Sequence, residues 1–246
     1  MIGIISAMHD ELSELLCLLK HKKTTVLGNR EYYSGSIGCQ QVVIVFSKWG
    51  KVAAAITTTT LINNFQPQEI IFSGVAGAIN PSLNIGDIVY GTSLVQHDMD
   101  ASPLFDKFEI PLIGKSAIFS TENQNFYKCI KQFHRNYFKF ISKEEAAIYN
   151  IQKPKIIKGM IASGDEFISD TNKIEELQKE LPSLECVEME GAAVAQVCHE
   201  YQIDFSIIRI ISDKADSNAY IDFPTFTKQI ASRYAKGIIE NYCNLV

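Results

Sequence analysis

The chain has 246 residues, a formal charge of −5 and 46% hydrophobic residues, dimensions that fit one large soluble domain. Acidic and basic residues are interspersed rather than blocked, which leaves no electrostatic footprint for nucleic acid or an anionic membrane and favours a small-molecule partner. Cys17, Cys39, Cys129, Cys186, Cys198 and Cys243 are scattered without a C-x-x-C pair; with no basic leader and no apolar span of about 20 residues, they point to the reducing cytoplasm.

Ile2 to Ser6 is a β-branched apolar run that reads as a strand, and Asp10 to Leu19 follows with helical spacing. Glu31 to Ser36 and Gln41 to Ser47, divided by Gly38, predict a hairpin, and the Ala/Thr-rich stretch Lys51 to Asn63 predicts a helix. Glu69 to Ser73 is a buried strand closed by Gly74-Val75-Ala76-Gly77. Gly86 to Val95 is strand-like, whereas Gln96 to Lys115, with Pro103 and Pro111 and no clean period, is a long loop of the kind that carries function. A helix from Glu122 to Tyr137, a strand from Lys155 to Ser163 and a short helix from Lys173 to Glu180 come next. A small-residue helix from Met189 to Tyr201, a strand from Phe205 to Ile211 and an amphipathic helix from Phe223 to Tyr242 complete the order. This alternation predicts the α/β class: a single domain over residues 1–246, with three α/β/α layers around a central mixed, mainly parallel sheet.

Ligands of open α/β sheets bind beyond the carboxyl ends of the strands, and four polar clusters fall there. They are Ser6-Ala7-Met8-His9-Asp10-Glu11, Gly74 to Gly77, Ser163-Gly164-Asp165-Glu166-Phe167 and Ser212-Asp213-Lys214-Ala215-Asp216; one pocket can collect all four. Each has a plainer reading. Glu11 in a first helical turn complements the macrodipole, worth about 0.3–1 kcal/mol, Asp213 serves as a cap or loop carboxylate, and Gly74 and Gly77 turn the chain. Val187 to Ala195 sets two carboxylates beside a small-sided helix start. Residues i and i+2 do not share a helix face, so if Glu190 points into a pocket, Glu188 is expected to point elsewhere. His97-Asp98-Met99-Asp100 falls short of a zinc ligand set, so no metal is expected.

In order along the chain, these segments resemble the nucleoside phosphorylase/hydrolase superfamily, and within it the bacterial 5'-methylthioadenosine/S-adenosylhomocysteine nucleosidases. The resemblance rests on Ile2 to Met8 with Asp10-Glu11, Gly50-Lys51-Val52-Ala53, Ser73 to Gly77, Leu94 to Asp100, Ala162 to Ile168, Val187 to Gly191 and Ile211 to Asp216. The variant Leu94 to Asp100 is most similar to the Helicobacter and Campylobacter type, some members of which also act on 6-amino-6-deoxyfutalosine. The resemblance implies hydrolysis of 5'-substituted adenosines in methionine salvage, a homodimer and no cofactor.

Carried over by motif, it makes Asp213 the acid that protonates N7 of adenine, with Ser212 holding its carboxyl group, and Glu11 the group that polarises the attacking water. Glu190 would bind the ribose hydroxyls, with Met8, Met189, Val75 and Glu188 lining the substrate. Phe167 would stack on adenine, the Ile168 backbone would read its edge, Phe223 would close the 5' side, and Phe105 and Pro111 would reach the partner subunit's pocket. Trp49 stands where relatives have a smaller aliphatic residue, which reshapes the 5' pocket, and the stretch Phe138 to Lys153 is longer than in relatives. Phosphorylases of the superfamily carry a Gly-x-Gly-x-Pro-Ser turn; Lys48 to Ala53 lacks the Pro-Ser, which favours water as acceptor. The alternatives are a phosphorylase on the same fold, an aminodeoxyfutalosine hydrolase, and a non-catalytic nucleoside-binding protein.

Overall fold

The computed structural model describes residues 1–151, 153–215 and 226–245. In chain order the elements are β1 (Ile2–Ser6), α1 (His9–Leu16), β2 (Lys20–Leu27), β3 (Arg30–Ile37), β4 (Gln40–Phe46), α2 (Lys51–Phe65), β5 (Glu69–Ala78), β6 (Ile88–Gln96) and β7 (Ile118–Phe119). There follow α3 (Gln124–Arg135), α4 (Lys143–Ile148), β8 (Ile156–Ser163), α5 (Thr171–Glu180), β9 (Leu184–Glu188), α6 (Gly191–Tyr201), β10 (Asp204–Asp213) and α7 (Ser232–Leu245).

The strands form one mixed sheet, β10-β6-β8-β9-β5-β1-β4-β3-β2, with β7 on β6. Parallel pairs β1–β4, β1–β5, β5–β10, β6–β8 and β8–β9 make up its centre. Because β10 also pairs with β5, the strands β5, β10, β6, β8 and β9 close on themselves, while β1, β4, β3 and β2 continue as an open flank. Side chains alternate across this sheet as the two-residue period requires. Ile4, Ile44, Ile71, Ile208 and Ile210 pack with Leu12 of α1, Phe133 of α3 and Ile238 of α7. Ile5, Val45, Phe72, Ile207 and Ile211 face the other way, onto Leu61 of α2 and Ala195 and Cys198 of α6. Both faces are thus covered, which a parallel sheet needs, and the three expected layers are present.

Several boundaries differ from the sequence reading. Gly74 and Gly77 do not form a turn; they lie inside β5, which runs on to Ala78 so that Gly77 pairs with Asp213 and with Val187. β2 carries Lys20, Lys22 and Lys23 and is exposed along most of its length, so it shows no apolar alternation and gains its form from pairing with β3; a lysine-bearing strand at an outer edge also resists pairing with other chains. The long 138–153 stretch holds α4, capped by Ser142 and Glu145, and an ion pair between Arg233 and Glu145 ties it to α7. The segment after β6 is a loop as expected, apart from one bridge between Ile110 and Lys115.

Candidate active site

A cavity opens at the carboxyl ends of the central strands, the place where open α/β sheets bind their ligands. Ala7 and Met8 after β1, Trp49 after β4, Val75 to Gly77 of β5, Glu166 to Ile168 after β8, Val187 to Glu190 at the end of β9, and Ser212 and Asp213 of β10 line it, with Glu11 from α1. The four polar clusters of the sequence therefore meet in one place.

Glu11 reaches the cavity through the geometry of a helix start. It is the third residue of α1, and its Oε2 accepts the backbone N–H of the N-cap residue Met8 at 3.0 Å, half of a capping box. The plain reading of Glu11 as a helix-terminal acid is thus correct as far as it goes. The carboxylate is nevertheless 2% exposed; it also accepts from the Ser6 hydroxyl and, through Oε1, from the Val75 N–H at 3.1 Å. Burial raises its pKa above the ordinary carboxylate value, against the opposing pull of Ser6, the Arg209 charge and the Met8 and Val75 amides.

Asp213 ends β10 at a register shift and is 4% exposed. Its Oδ2 accepts the Ser212 hydroxyl at 2.7 Å and its Oδ1 the Ala215 N–H at 2.8 Å. The Ser212 hydroxyl has a second acceptor in the Ala76 carbonyl, at 3.4 Å. Gly77 leaves room for this arrangement: a Cβ there would stand 2.9 Å from both Asp213 Oδ1 and the Ala215 Cβ.

Glu188 and Glu190 do not belong to one helix, so the face argument drawn from their spacing does not apply. Glu188 closes β9 and Glu190 is the N-cap of α6, and both line the cavity. Glu188 is spent on structure: it accepts from the Ser163 hydroxyl, from the N–H groups of Glu190 (3.1 Å) and Gly191 (2.8 Å), and from Arg209 Nη2 at 2.5 Å. Glu190 accepts the Gly50 N–H at 2.8 Å. Burial first, and the neighbouring Glu188 charge second, push its pKa from 4.5 up to about 8, with Gly50 and Arg209 pulling back.

Arg209 is the functional residue the sequence reading passed over. It sits in the middle of β10, 1% exposed, 2.5 Å from Glu188, with its guanidinium 4.1 Å from the Phe72 ring centroid. It lies within electrostatic reach of Glu11, Glu188 and Glu190 and offsets part of the negative charge that these buried carboxyls carry. The signal was a lone arginine inside the apolar run Phe205 to Ile211, which a buried strand tolerates only when paired.

Met8, Trp49, Val75, Phe167, Ile168, Met189 and Ser212 all line the cavity. Phe223 lies outside the described residues. Phe105 and Pro111 do not line this chain's own cavity; both lie in the loop after β6, half-buried. His97, 4% exposed, has no hydrogen-bond partner at either ring nitrogen among the described residues, and burial lowers its pKa.

The model of the phosphorylase superfamily matches residues 1–244. A 5'-methylthioadenosine/S-adenosylhomocysteine nucleosidase of Anoxybacillus flavithermus is 34% identical over 94% of this chain and 92% of its own. The Neisseria meningitidis nucleosidase of the same description, solved with methylthio-immucillin-A, superposes with a TM-score of 0.86 at 29% identity, covering 100% of this chain and 99% of that one. The futalosine hydrolase of Helicobacter pylori superposes with a TM-score of 0.83 at 31% identity, over 98% and 96% of the two chains. Similarity to the Helicobacter chain does not exceed that to the Anoxybacillus one, so the Helicobacter-like subtype is not singled out. A cavity that gathers these carboxylates on this sheet, and matches that span the chain almost end to end, have one reading: the chain belongs to the phosphorylase superfamily and, within it, to the 5'-methylthioadenosine/S-adenosylhomocysteine nucleosidases.

Proposed function

We propose that this chain, as one domain, hydrolyses the N-glycosidic bond of 5'-methylthioadenosine and S-adenosylhomocysteine, releasing adenine and the 5-substituted ribose. The observation that carries the reading is that Glu11 and Asp213, from opposite ends of the sequence, line one cavity. Adenine leaves poorly as an anion, so Asp213 delivers a proton to N7 as the bond breaks, a step worth about 10² to 10⁴-fold. Ser212 supports both charge states, donating to Asp213 when it is a carboxylate and turning to the Ala76 carbonyl when it is protonated. The sugar left behind develops positive charge, which the Glu11 carboxylate stabilises. Glu11, its basicity raised by burial, takes the proton that the attacking water gives up. Glu190 receives the ribose hydroxyls, Phe167 and Ile168 take the purine, and Trp49, lining the cavity yet 59% exposed, borders the 5'-substituent.

Water rather than phosphate is the acceptor because the loop before α2 has its amides occupied. Gly50 N–H faces Glu190 and Lys51 N–H faces Asp165 at 2.7 Å, so a phosphate at this helix start would meet two carboxylates. A homodimer fits the apolar residues left in solvent: Val52 and Ile56, one turn apart on α2, and Leu104 and Leu112 in the loop after β6. That loop, with Phe105 and Pro111, would then reach the second subunit's cavity. The six cysteines are all unbridged, which suits the cytoplasm, where the ribose product enters methionine salvage.

The test is adenine release from methylthioadenosine in phosphate-free buffer, with Asp213→Asn and Glu11→Gln alongside. The parent is expected to turn over without phosphate, and each variant to lose at least about 10²-fold in kcat while still binding nucleoside. A strict phosphate requirement would move the chain to the phosphorylases, and near-normal turnover of either variant would remove its assigned role. Comparing methylthioadenosine, S-adenosylhomocysteine, 5'-deoxyadenosine and 6-amino-6-deoxyfutalosine ranks the 5'-substituents.

A further inference from the structure

The start of α2 and the loop after β8 are both fastened to one carboxylate in the loop after β6. Asp98, just after β6, meets the Lys51 ammonium with Oδ1 at 2.5 Å and accepts the Asp165 N–H with Oδ2 at 2.9 Å. Asp165 returns the link, its Oδ1 accepting the Lys51 backbone N–H at 2.7 Å. A closed ring therefore runs from the Lys51 side chain through Asp98 and Asp165 back to the Lys51 main chain. The Lys51 ammonium is further steadied by Gln96 Oε1 at 3.2 Å.

What stands beside this ring gives it meaning. On one side is Gly50, whose N–H holds Glu190 and whose φ of +91° suits only glycine; a Cβ there would stand 2.9 Å from Asp165 Oδ1. On the other side Asp165 leads straight into Glu166, Phe167 and Ile168 of the cavity wall, while Lys51, Asp98 and Asp165 themselves line none of it. Burial works against the Asp98 charge, but the Lys51 hydrogen bond, the Asp165 amide and the Lys51 charge outweigh it and hold the carboxyl below its usual range. The ion pair alone, with side chains 16% and 30% exposed, would be worth little; its two backbone links are what make it a fastening.

We propose that Asp98 is a positioning residue for glycosidic cleavage: by tying Lys51 to Asp165 it fixes the spacing between Glu190 on the ribose side and Phe167–Ile168 on the purine side. The inference rests on reading the cavity as a nucleoside site. A displacement of about 1 Å in such a spacing costs on the order of 10²-fold in rate, so a group outside the cavity can govern turnover.

The experiment uses Asp98→Asn, Lys51→Met and the double variant. Asparagine keeps an oxygen for the Asp165 amide but turns a donor toward the Lys51 ammonium, and methionine removes that ammonium while keeping the Lys51 amide. Each single variant is expected to lower kcat/KM for methylthioadenosine on the order of 10-fold and to weaken inhibition by adenine. The double variant should be no more than about twofold worse than the singles, because all three break the same bond. Trp49, the sole tryptophan, immediately precedes Gly50, so its fluorescence anisotropy without any ligand should fall in all three and recover in Lys51→Arg. Losses that multiply in the double variant, or a lowered Tm with unchanged Trp49 anisotropy and kcat/KM within twofold of the parent, would overturn the proposal. If the parent fails to cleave methylthioadenosine at all, it is the nucleosidase reading that fails, and the Trp49 anisotropy alone decides whether the fastening exists.

Discussion

Replacing Glu190 by glutamine isolates the cost of keeping an acid at the start of α6. Its carboxyl is lifted from 4.5 to about 8 in the folded chain, so folding favours the protonated form. The stability that Glu190 contributes is therefore complete below about pH 4.5, drains away as the pH rises and is gone above about 8. Between those values each pH unit removes about 1.4 kcal/mol. In a chain of this size 1 kcal/mol corresponds to roughly 2–4 °C of Tm, so the parent should lose about 3–6 °C per pH unit relative to Glu190→Gln. Glutamine keeps an oxygen for the Gly50 N–H, and Glu11, whose pKa is raised in the same direction, adds a slope of the same sign in both proteins, so the difference between them reads Glu190 together with its interaction with Glu11. Thermal melts of the two proteins at pH 5, 6, 7 and 8, without ligand, read the effect directly. Parallel profiles across that range would refute the claim that burial and Glu188 hold a proton on Glu190.

Arg209→Met strands the Glu188 carboxylate, which is 4% exposed, at a cost of about 3–5 kcal/mol and a Tm drop on the order of 6–20 °C. Adding Glu188→Gln should recover part of it, since the amide oxygen still serves the Gly191 N–H; a single variant melting within about 2 °C of the parent contradicts the assignment. Gly77→Ala puts a methyl against Asp213 Oδ1 and Ala215, with an expected cost of about 1–3 kcal/mol and a loss of at least about 10-fold in kcat as the acid shifts. Full turnover in that variant would show that Asp213, the proposed proton donor, does not depend on the room Gly77 leaves for it.

The layers and most of the strands were legible because burial on both faces writes itself as β-branched runs, as in Ile2 to Ser6 and Phe205 to Ile211. β2 was not, since Lys20 to Leu27 has no apolar period and becomes a strand only because β3 offers it hydrogen bonds. β9 is five residues long and ends in Glu188, and by itself it reads as the lead-in to α6. The cavity was legible as motifs, yet not as a division of labour. Nothing in the spacing of Glu188 and Glu190 tells that one is consumed by Arg209 and two amides while the other, among the described residues, accepts from Gly50. That distinction depends on β10 bringing an arginine beneath them from about 20 residues further along the chain. His97-Asp98 likewise suggested a metal motif, whereas Asp98 turns to Lys51 at the start of α2 and to Asp165 in the loop after β8.

β5 pairs with β1 near one end of the sequence and with β10 near the other. Glu11, proposed to activate water, and Asp213, proposed to donate the proton, are separated by about two hundred residues of sequence, so on the ribosome the first is made long before the second. If those roles hold, a partial chain on the ribosome, or one nicked and separated anywhere between, would carry half of the chemistry and none of the activity. Two fragments divided in an exposed loop such as the one after β6 would regain cleavage only on reassembly, which makes the molecule a natural reporter for bringing two tethered partners together.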